Sequence, residues 1–206
     1  MKEIINNIKI FSSFWVLLFL YLVIPIFIDS ISAPRWIYFI DYKIPFIPFM
    51  IIPYYFYYFI IILPPFIWEN EWQLRNITGI LNVITLICYL FFILWPIDAS
   101  HILNQVVFPG TSLFEPFHSL ITYNYLHQNA FPSMHVAVSS FLCLSYYNDF
   151  KSYRFLSLFI GLIIFLSTFL IKQHYVIDSI VGLFLGFGGF YYYFIKMKPC
   201  KNDRLF

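Results

Sequence analysis

The sequence is poor in charged residues and in cysteine. Only 11% of its 206 residues are charged, less than half of the roughly 25% that is usual in a soluble domain. The net charge of +2 comes without a basic stripe that could neutralise a phosphate backbone, so we exclude a nucleic-acid-binding protein. The three cysteines, Cys88, Cys143 and Cys200, have no paired spacing and predict neither a disulfide nor a metal site.

Apolar residues make up 61% of the chain and favour an all-α, polytopic membrane protein, with about six transmembrane helices in one bundle and a single domain over residues 1–206. Most of the apolar runs approach the ~20 residues that cross a hydrocarbon core. Prolines interrupt the second run, which should begin near Phe49 and end or kink near Leu63. In the last run, Gly182 and Gly186 should allow close helix packing. The six runs are Ile10–Ile28, Phe46–Trp68, Ile77–Trp95, Phe131–Tyr147, Phe155–Ile171 and Tyr175–Ile195.

The basic residues are unevenly distributed about these runs. If the N-terminus lies inside, nine of the 12 Lys and Arg residues are cytoplasmic, and only Arg35, Lys43 and Lys172 are outside. This asymmetry predicts that both termini lie in the cytoplasm. The segment 96–130, which contains no Lys or Arg, then becomes an external loop, with either a lid or an interfacial helix around Leu113–Leu126.

Two polar stretches interrupt the apolar pattern. The first, residues 167–178, reads Ser-Thr-Phe-Leu-Ile-Lys-Gln-His-Tyr-Val-Ile-Asp. If the last run is helical from its start, His174 and Asp178 lie on one face. A carboxylate so placed can accept the Nδ1 proton of the imidazole and leave Nε2 with a free lone pair. The same pair is also consistent with an interfacial contact that only holds two helices in register.

The second stretch, residues 131–135, reads Phe-Pro-Ser-Met-His. It places His135 where a polar loop enters an apolar run, at a predicted helix N-terminus that begins near Ser133. The free N–H groups of such a terminus favour an anion. Two histidines at two helix starts therefore indicate one phosphate-binding pocket.

These residues resemble the signatures of the type 2 phosphatidic acid phosphatase superfamily. Pro-Ser-Met-His at 132–135 resembles the second signature, and residues 167–178 fit the third, Ser-x(6)-His-x(3)-Asp. One branch of this superfamily, which includes inositol phosphorylceramide synthases, has two further runs similar to those of this chain. They are Lys-Gln-His-Tyr, here at 172–175, and Asn-Ala-Phe-Pro-Ser-x-His, which here begins at Asn129. The resemblance covers about residues 41–189, because Asp41 to Tyr54 also looks like the second-helix entrance of that branch.

The resemblance implies an enzyme that acts on a lipid phosphate or diphosphate without a metal or other cofactor. His174, oriented by Asp178, is the expected nucleophile and forms a phosphohistidine intermediate. His135 is the expected general acid for the leaving oxygen and, later, the base that activates water. The expected partners are this lipid substrate and the surrounding membrane lipids.

The residues expected to bind the phosphate depart from the family pattern. The first signature, Lys-x(6)-Arg-Pro, has no match, and Thr168 stands where the third signature often has Arg. We therefore expect Lys172 and the helix start at Ser133 to bind the phosphoryl oxygens. His101 occupies the place of an Arg that follows the third span in the branch. Two interpretations of His101 stay open: a clamp that works when protonated, or a surface histidine in a degenerate loop.

Three functions are compatible with these residues. The first is a lipid phosphatase in a bacterial inner membrane, with its active site facing the periplasm or exterior. The second is a headgroup transferase of the inositol phosphorylceramide synthase type, in which a lipid alcohol instead of water resolves the phospho-enzyme. The third is a degenerate family member that only binds or scaffolds, and its one support is the missing Arg.

Overall fold

The structure, a computed structural model, describes residues 2–108, 110, 112–122 and 129–202, with side chains up to residue 196. Regular secondary structure within these ranges is entirely helical, which confirms the all-α prediction. In the predicted segment Leu113–Leu126, residues Glu115–Thr122 form a helix, α8, and residues 123–126 lie outside the described ranges. The helices are α1 (Lys2–Phe19), α2 (Ile24–Phe27), α3 (Arg35–Tyr38), α4 (Ile51–Ile60), α5 (Pro64–Ile67), α6 (Glu71–Leu94), α7 (Ser100–Leu103), α8 (Glu115–Thr122), α9 (Met134–Asp149), α10 (Arg154–Leu170) and α11 (Val176–Asn202).

Four stretches of the described chain are long and apolar enough to cross a membrane: Lys2–Phe27, Glu71–Leu94, Lys151–Leu170 and Val176–Lys196. A fifth results if Arg35–Lys43 and Pro48–Ile60, which meet at 119°, form one broken span. The prediction of about six spans is therefore too high for the described residues. A count of five lacks only the predicted span Phe131–Tyr147, because the 16 residues of α9 are fewer than the ~20 that cross a hydrocarbon core. A count of four also lacks Phe46–Trp68.

The apolar run from Phe131 gives a short helix because its first residues are not helical. Ser133 has an extended backbone, and its hydroxyl accepts a hydrogen bond from the N–H of Val136, so it is the N-cap of α9. Twelve of the 16 residues of α9 are buried, and the helix packs against α4, α6, α10 and α11. α9 is therefore the central helix of the bundle, where it can be apolar on all sides.

Prolines set the ends of α4 as the sequence predicts. Pro48 opens a 3-10 turn, Pro48–Met50, and α4 follows directly. Three residues separate α4 from α5, which begins at Pro64. Proline fits the first turn of a helix and ends the preceding one, because its φ is fixed and it has no N–H donor. The predicted start near Phe49 and end near Leu63 are confirmed.

α11 approaches α9 closely at two glycines. A Cβ atom added at Gly182 would collide with the carbonyl oxygen of Ser133, and one added at Gly186 would collide with Ser140 Oγ and the carbonyl oxygen of Ala137. Small residues allow this kind of approach between membrane helices, so the predicted packing role is confirmed. The contact brings the first turn of α11 to the N-cap of α9.

Candidate active site

The turn between α10 and α11 carries the predicted nucleophile. It comprises residues 171–175, all of which are buried. The carbonyl oxygen of Thr168 accepts hydrogen bonds from the N–H groups of Gln173 and His174, each at 3.1 Å. These two bonds fix the backbone of the turn against the end of α10.

Two buried carboxylates bind the N-terminus of α11. Asp178 Oδ2 accepts a hydrogen bond from the N–H of Tyr175 at 2.9 Å, as the acidic residue of a capping box does. Asp41 Oδ1 accepts one from the N–H of Val176 at 3.0 Å. Negative charge is favourable at this end of a helix. The two bonds join the start of α11 to a segment more than 130 residues earlier in the chain.

The structure corrects the predicted hydrogen bond between His174 and Asp178. His174 lies before α11 and not on its face, and its Nδ1 hydrogen-bonds the carbonyl oxygen of Ala130 at 2.9 Å. Asp178 Oδ2 is 3.9 Å from the same nitrogen. Because a carbonyl oxygen can only accept, Nδ1 carries the proton and Nε2 keeps its lone pair. The expected tautomer is therefore fixed by a different partner.

His174 is uncharged at neutral pH. Burial lowers its pKa to about 4, although the hydrogen bond to Ala130 acts in the opposite direction. The neutral ring offers Nε2 as a nucleophile. The same carbonyl oxygen would stabilise the positive charge that develops when Nε2 forms a bond.

His135 faces His174 from the first turn of α9. The two ring centroids are 5.6 Å apart, and the ring planes are inclined by 56°. His135 Nε2 is 2.9 Å from the hydroxyl oxygen of Tyr54, whose ring stacks on the imidazole. In the described part of the chain, His135 Nδ1 has no hydrogen-bond partner. The fold thus brings the two predicted catalytic histidines together.

Lys172 is buried and binds the protein backbone. Its Nζ donates to the carbonyl oxygens of Asp41 at 2.8 Å and Ile44 at 2.7 Å. Burial lowers the pKa of the ammonium group, and the charge of Asp41 opposes this shift. The φ of Lys172 is 61°, a left-handed value that is uncommon outside glycine. Lys172, which was predicted to bind a phosphate, therefore holds segment 41–44 against the turn that contains His174.

His101 lies on α7, and the ring of Tyr38 lies between it and Tyr175 of the turn. Its ring stacks on Tyr38 with centroids 4.4 Å apart, and the Tyr38 ring is 6.4 Å from that of Tyr175. Tyr175 also donates its hydroxyl proton to the carbonyl oxygen of Asp98 at 3.0 Å. The loop that carries His101 is therefore attached to the residue that follows the predicted nucleophile.

The match to a known family extends over most of the chain. A family model described as the PAP2 superfamily matches residues 31–192, which is 162 of 206 residues. The chain belongs to the PAP2 superfamily. Neither a curated protein nor a solved structure matches it. Membership of this superfamily supports a phosphatase-type fold.

A cavity of about 520 Å³ lies beside His135 in this PAP2 protein. Its lining is mostly aromatic and aliphatic, and it includes Trp15 and Phe19 from α1 and Gln173 from the turn. Phe19 is 65% exposed, so the cavity reaches the outer surface of the bundle. Gln173 Nε2 has no hydrogen-bond partner among the described residues. An apolar cavity with a few convergent polar groups is typical of a ligand site.

Three residues of this PAP2 site were not predicted to have a role: Tyr54, Asp41 and Gln173. Tyr54 belongs to a cluster of tyrosines in an apolar run, a pattern that is typical of packing or of the membrane interface. Nothing local distinguishes it, since its contact with the imidazole crosses 81 residues of chain. Asp41 did carry a signal, because a carboxylate beside apolar runs usually has a specific partner. Gln173 lies within the third signature.

Proposed function

We propose that the protein is an integral membrane phosphatase that hydrolyses a lipid phosphate or diphosphate through a phosphohistidine intermediate. The pair of facing imidazoles, His174 and His135, supports this best. One has an unprotonated Nε2 because its Nδ1 donates to a carbonyl oxygen. The other has a buried Nδ1 without a partner in the described residues. A nucleophile and an acid within reach of one phosphorus atom are what this type of phosphoryl transfer requires.

The two histidines divide the reaction into two steps. In the first, His174 Nε2 attacks phosphorus, a P–N bond forms and the P–O bond to the lipid breaks. His135, whose protonated form is favoured by the negative charge of the bound phosphate, gives its Nδ1 proton to the leaving oxygen. In the second, neutral His135 takes a proton from water, the oxygen attacks phosphorus, and the P–N bond breaks to release phosphate and His174. These steps use no metal and no cofactor.

The charge of the transferring phosphoryl group needs donors around it. We assign this role to the N-terminus of α9 at Ser133, where the first N–H groups of the helix lack intrahelical partners, and to the side-chain amide of Gln173. His101 is a further candidate when protonated. Lys172 acts indirectly in this scheme, because its ammonium group already holds two carbonyl oxygens.

We place the site at the extracytoplasmic face of a bacterial inner membrane. The histidines lie where α10 ends and where α9 and α11 begin. Basic side chains lie toward the other ends of the same bundle, for example Arg75 in the first turns of α6, Arg154 at the start of α10 and Lys196 in α11. Basic residues favour the cytoplasmic side, so the histidines face outward.

Purified protein in detergent should release inorganic phosphate from phosphatidate or a polyprenyl diphosphate without added acceptor. The measurement is phosphate release with and without a lipid alcohol, with His174→Ala as the blank. A product that appears only with the alcohol would support headgroup transfer. No turnover of any substrate in the panel would favour the non-enzymatic function.

The same assay tests the face of the membrane. Sealed right-side-out vesicles should hydrolyse an added, membrane-impermeant short-chain phosphatidate at the rate seen after permeabilisation. Hydrolysis that requires permeabilisation would place the site in the cytoplasm.

Tyr54→Phe should lower kcat roughly 10-fold or more with little change in KM, the scale of one hydrogen bond to a charged group. The reason is that the Tyr54 oxygen can accept the Nε2 proton of protonated His135 and so stabilise the form that donates from Nδ1. The alkaline limb of the pH profile of kcat should move to lower pH, which a purely structural defect would not produce.

Tyr57→Phe is the matched control. Its ring also packs on His135, with centroids 4.3 Å apart, but its hydroxyl has no partner among the described residues. We expect activity within about twofold of wild type, in the range of an ordinary neutral substitution. Equal effects of both substitutions would show that the Tyr54 hydroxyl has no special role.

A further inference from the structure

A groove of about 640 Å³ runs between α6 and α11, away from the histidines. We infer that it binds one anionic phospholipid of the leaflet opposite the active site, with an acyl chain along the groove and the headgroup at Arg75 and Lys196. The lining is apolar over most of its length and polar at one end, where Asn76 and Tyr192 join the two cations. A lining that is apolar along its length and polar at one end matches a phospholipid better than a soluble ligand.

The groove exists because two positions lack side chains. A Cβ atom added at Gly79 or at Gly188 would meet no atom within 4 Å. Their neighbour Gly189 differs, because a Cβ there would press on Ile80 and Ile84 of α6. Gly189 therefore brings the helices together, whereas Gly79 and Gly188 leave open space at the surface.

The length of the groove matches one leaflet. Its lining runs from Arg75 to Ile87 of α6 and from Phe184 to Lys196 of α11, which in each helix is a separation of 12 residue positions. At 1.5 Å per residue this is about 18 Å, slightly more than half of the ~30 Å hydrocarbon core. A chain in the groove would reach the middle of the bilayer while its headgroup lies at the cations.

The polar end favours a negative headgroup. Lys196 Nζ lies 5.7 Å from the centroid of the Tyr192 ring, which keeps the ammonium beside the groove. Arg75 contacts Glu71 Oε1 through Nε and one terminal nitrogen, and a guanidinium has five N–H donors, so further donors remain for a phosphate. Basic side chains between transmembrane helices bind anionic headgroups in this way.

The groove is separate from the catalytic residues. His174 precedes α11, and Lys196 lies 20 residues after Val176, so the two ends of the helix are about 30 Å apart. The lipid bound here would be a structural or regulatory ligand and not the substrate. The inference therefore stands whether or not the proposed phosphatase activity is found.

The test is native mass spectrometry of the full chain titrated with phosphatidylglycerol or with phosphatidylcholine of the same acyl chains. We expect wild type to bind phosphatidylglycerol at least about tenfold more tightly, the scale of one charge-assisted hydrogen bond. The double variant Arg75→Ala, Lys196→Ala should bind phosphatidylglycerol only as tightly as phosphatidylcholine. Gly188→Leu, which fills the groove, should weaken the binding of both lipids, whereas Gly188→Ala should weaken the binding of neither.

Lys9→Ala with Lys151→Ala is the control for loss of two charges, because both residues are exposed and outside the groove. It should retain the wild-type preference. The inference is wrong if wild type shows no preference, or if this control loses the preference as fully as the groove pair does. If Gly188→Leu fails to fold, the two charge variants still decide between these outcomes.

Discussion

Replacing His174 with alanine should lower kcat/KM for phosphate release at least about a thousandfold, as loss of a covalent nucleophile does. The protein should still insert and unfold near the wild-type temperature, because among the described residues the side chain makes one hydrogen bond, to the carbonyl oxygen of Ala130. The decisive measurement is covalent labelling. After rapid alkaline quench with labelled substrate, wild type should carry phosphate and His174→Ala should carry none.

A p-nitrophenyl phosphate ester separates the roles of the two histidines, because its leaving group departs without a proton. With this substrate, His135→Ala should form the labelled protein and then lose the label slowly, since water activation is missing. His118→Gln is the matched control at a third histidine, because the Gln Nε2 can take the place of the imidazole Nε2. His118 Nε2 also bonds a backbone carbonyl oxygen, that of Ile171 at 2.8 Å, but we give it no chemical role. This variant should take up and release the label. Label on His174→Ala would show that another residue is the nucleophile.

The features that could be predicted from the sequence are those determined locally. Apolar runs and prolines predicted where α4 begins and ends, because a proline acts on its own turn of helix. The two histidines were found because each lies in a short motif at a helix start. The predicted count of about six spans exceeds the four to five helices that are long and apolar enough, because the apolar run from Phe131 includes residues that are not helical and α9 has only 16 residues.

The hydrogen-bond partners of the proposed catalytic groups could not be predicted, because they are distant in the sequence or belong to the backbone. His174 Nδ1 binds the carbonyl oxygen of Ala130, 44 residues away, and a carbonyl group carries no sequence signal. The spacing suggested Asp178 instead, on the assumption that the helix includes His174. α11 begins two residues later, so the carboxylate caps the helix and is left 3.9 Å from the imidazole.

Lys172→Met should destabilise the protein by about 3 kcal/mol or more, because it leaves two buried carbonyl oxygens without their charged donor. For a chain of this size, this corresponds to a fall in Tm of about 6–12 °C. Methionine keeps the length of the side chain but cannot donate to Asp41 or Ile44. Activity should fall as well, because segment 41–44 also supplies the Asp41 carboxylate that binds the N–H of Val176.

The matched control is Lys43→Met, which removes an exposed cation from the same segment and should change Tm by no more than about 1 °C, since exposed charges contribute little to stability. The two roles of Lys172 give different results. If Lys172 binds phosphate, Lys172→Met would leave Tm unchanged and would raise KM or lower kcat. If Lys172 is a structural contact, its loss lowers Tm in the absence of any substrate. The bonds of Lys172 Nζ to two carbonyl oxygens and its left-handed backbone favour the second result, because a strained residue persists only where its contacts offset the strain.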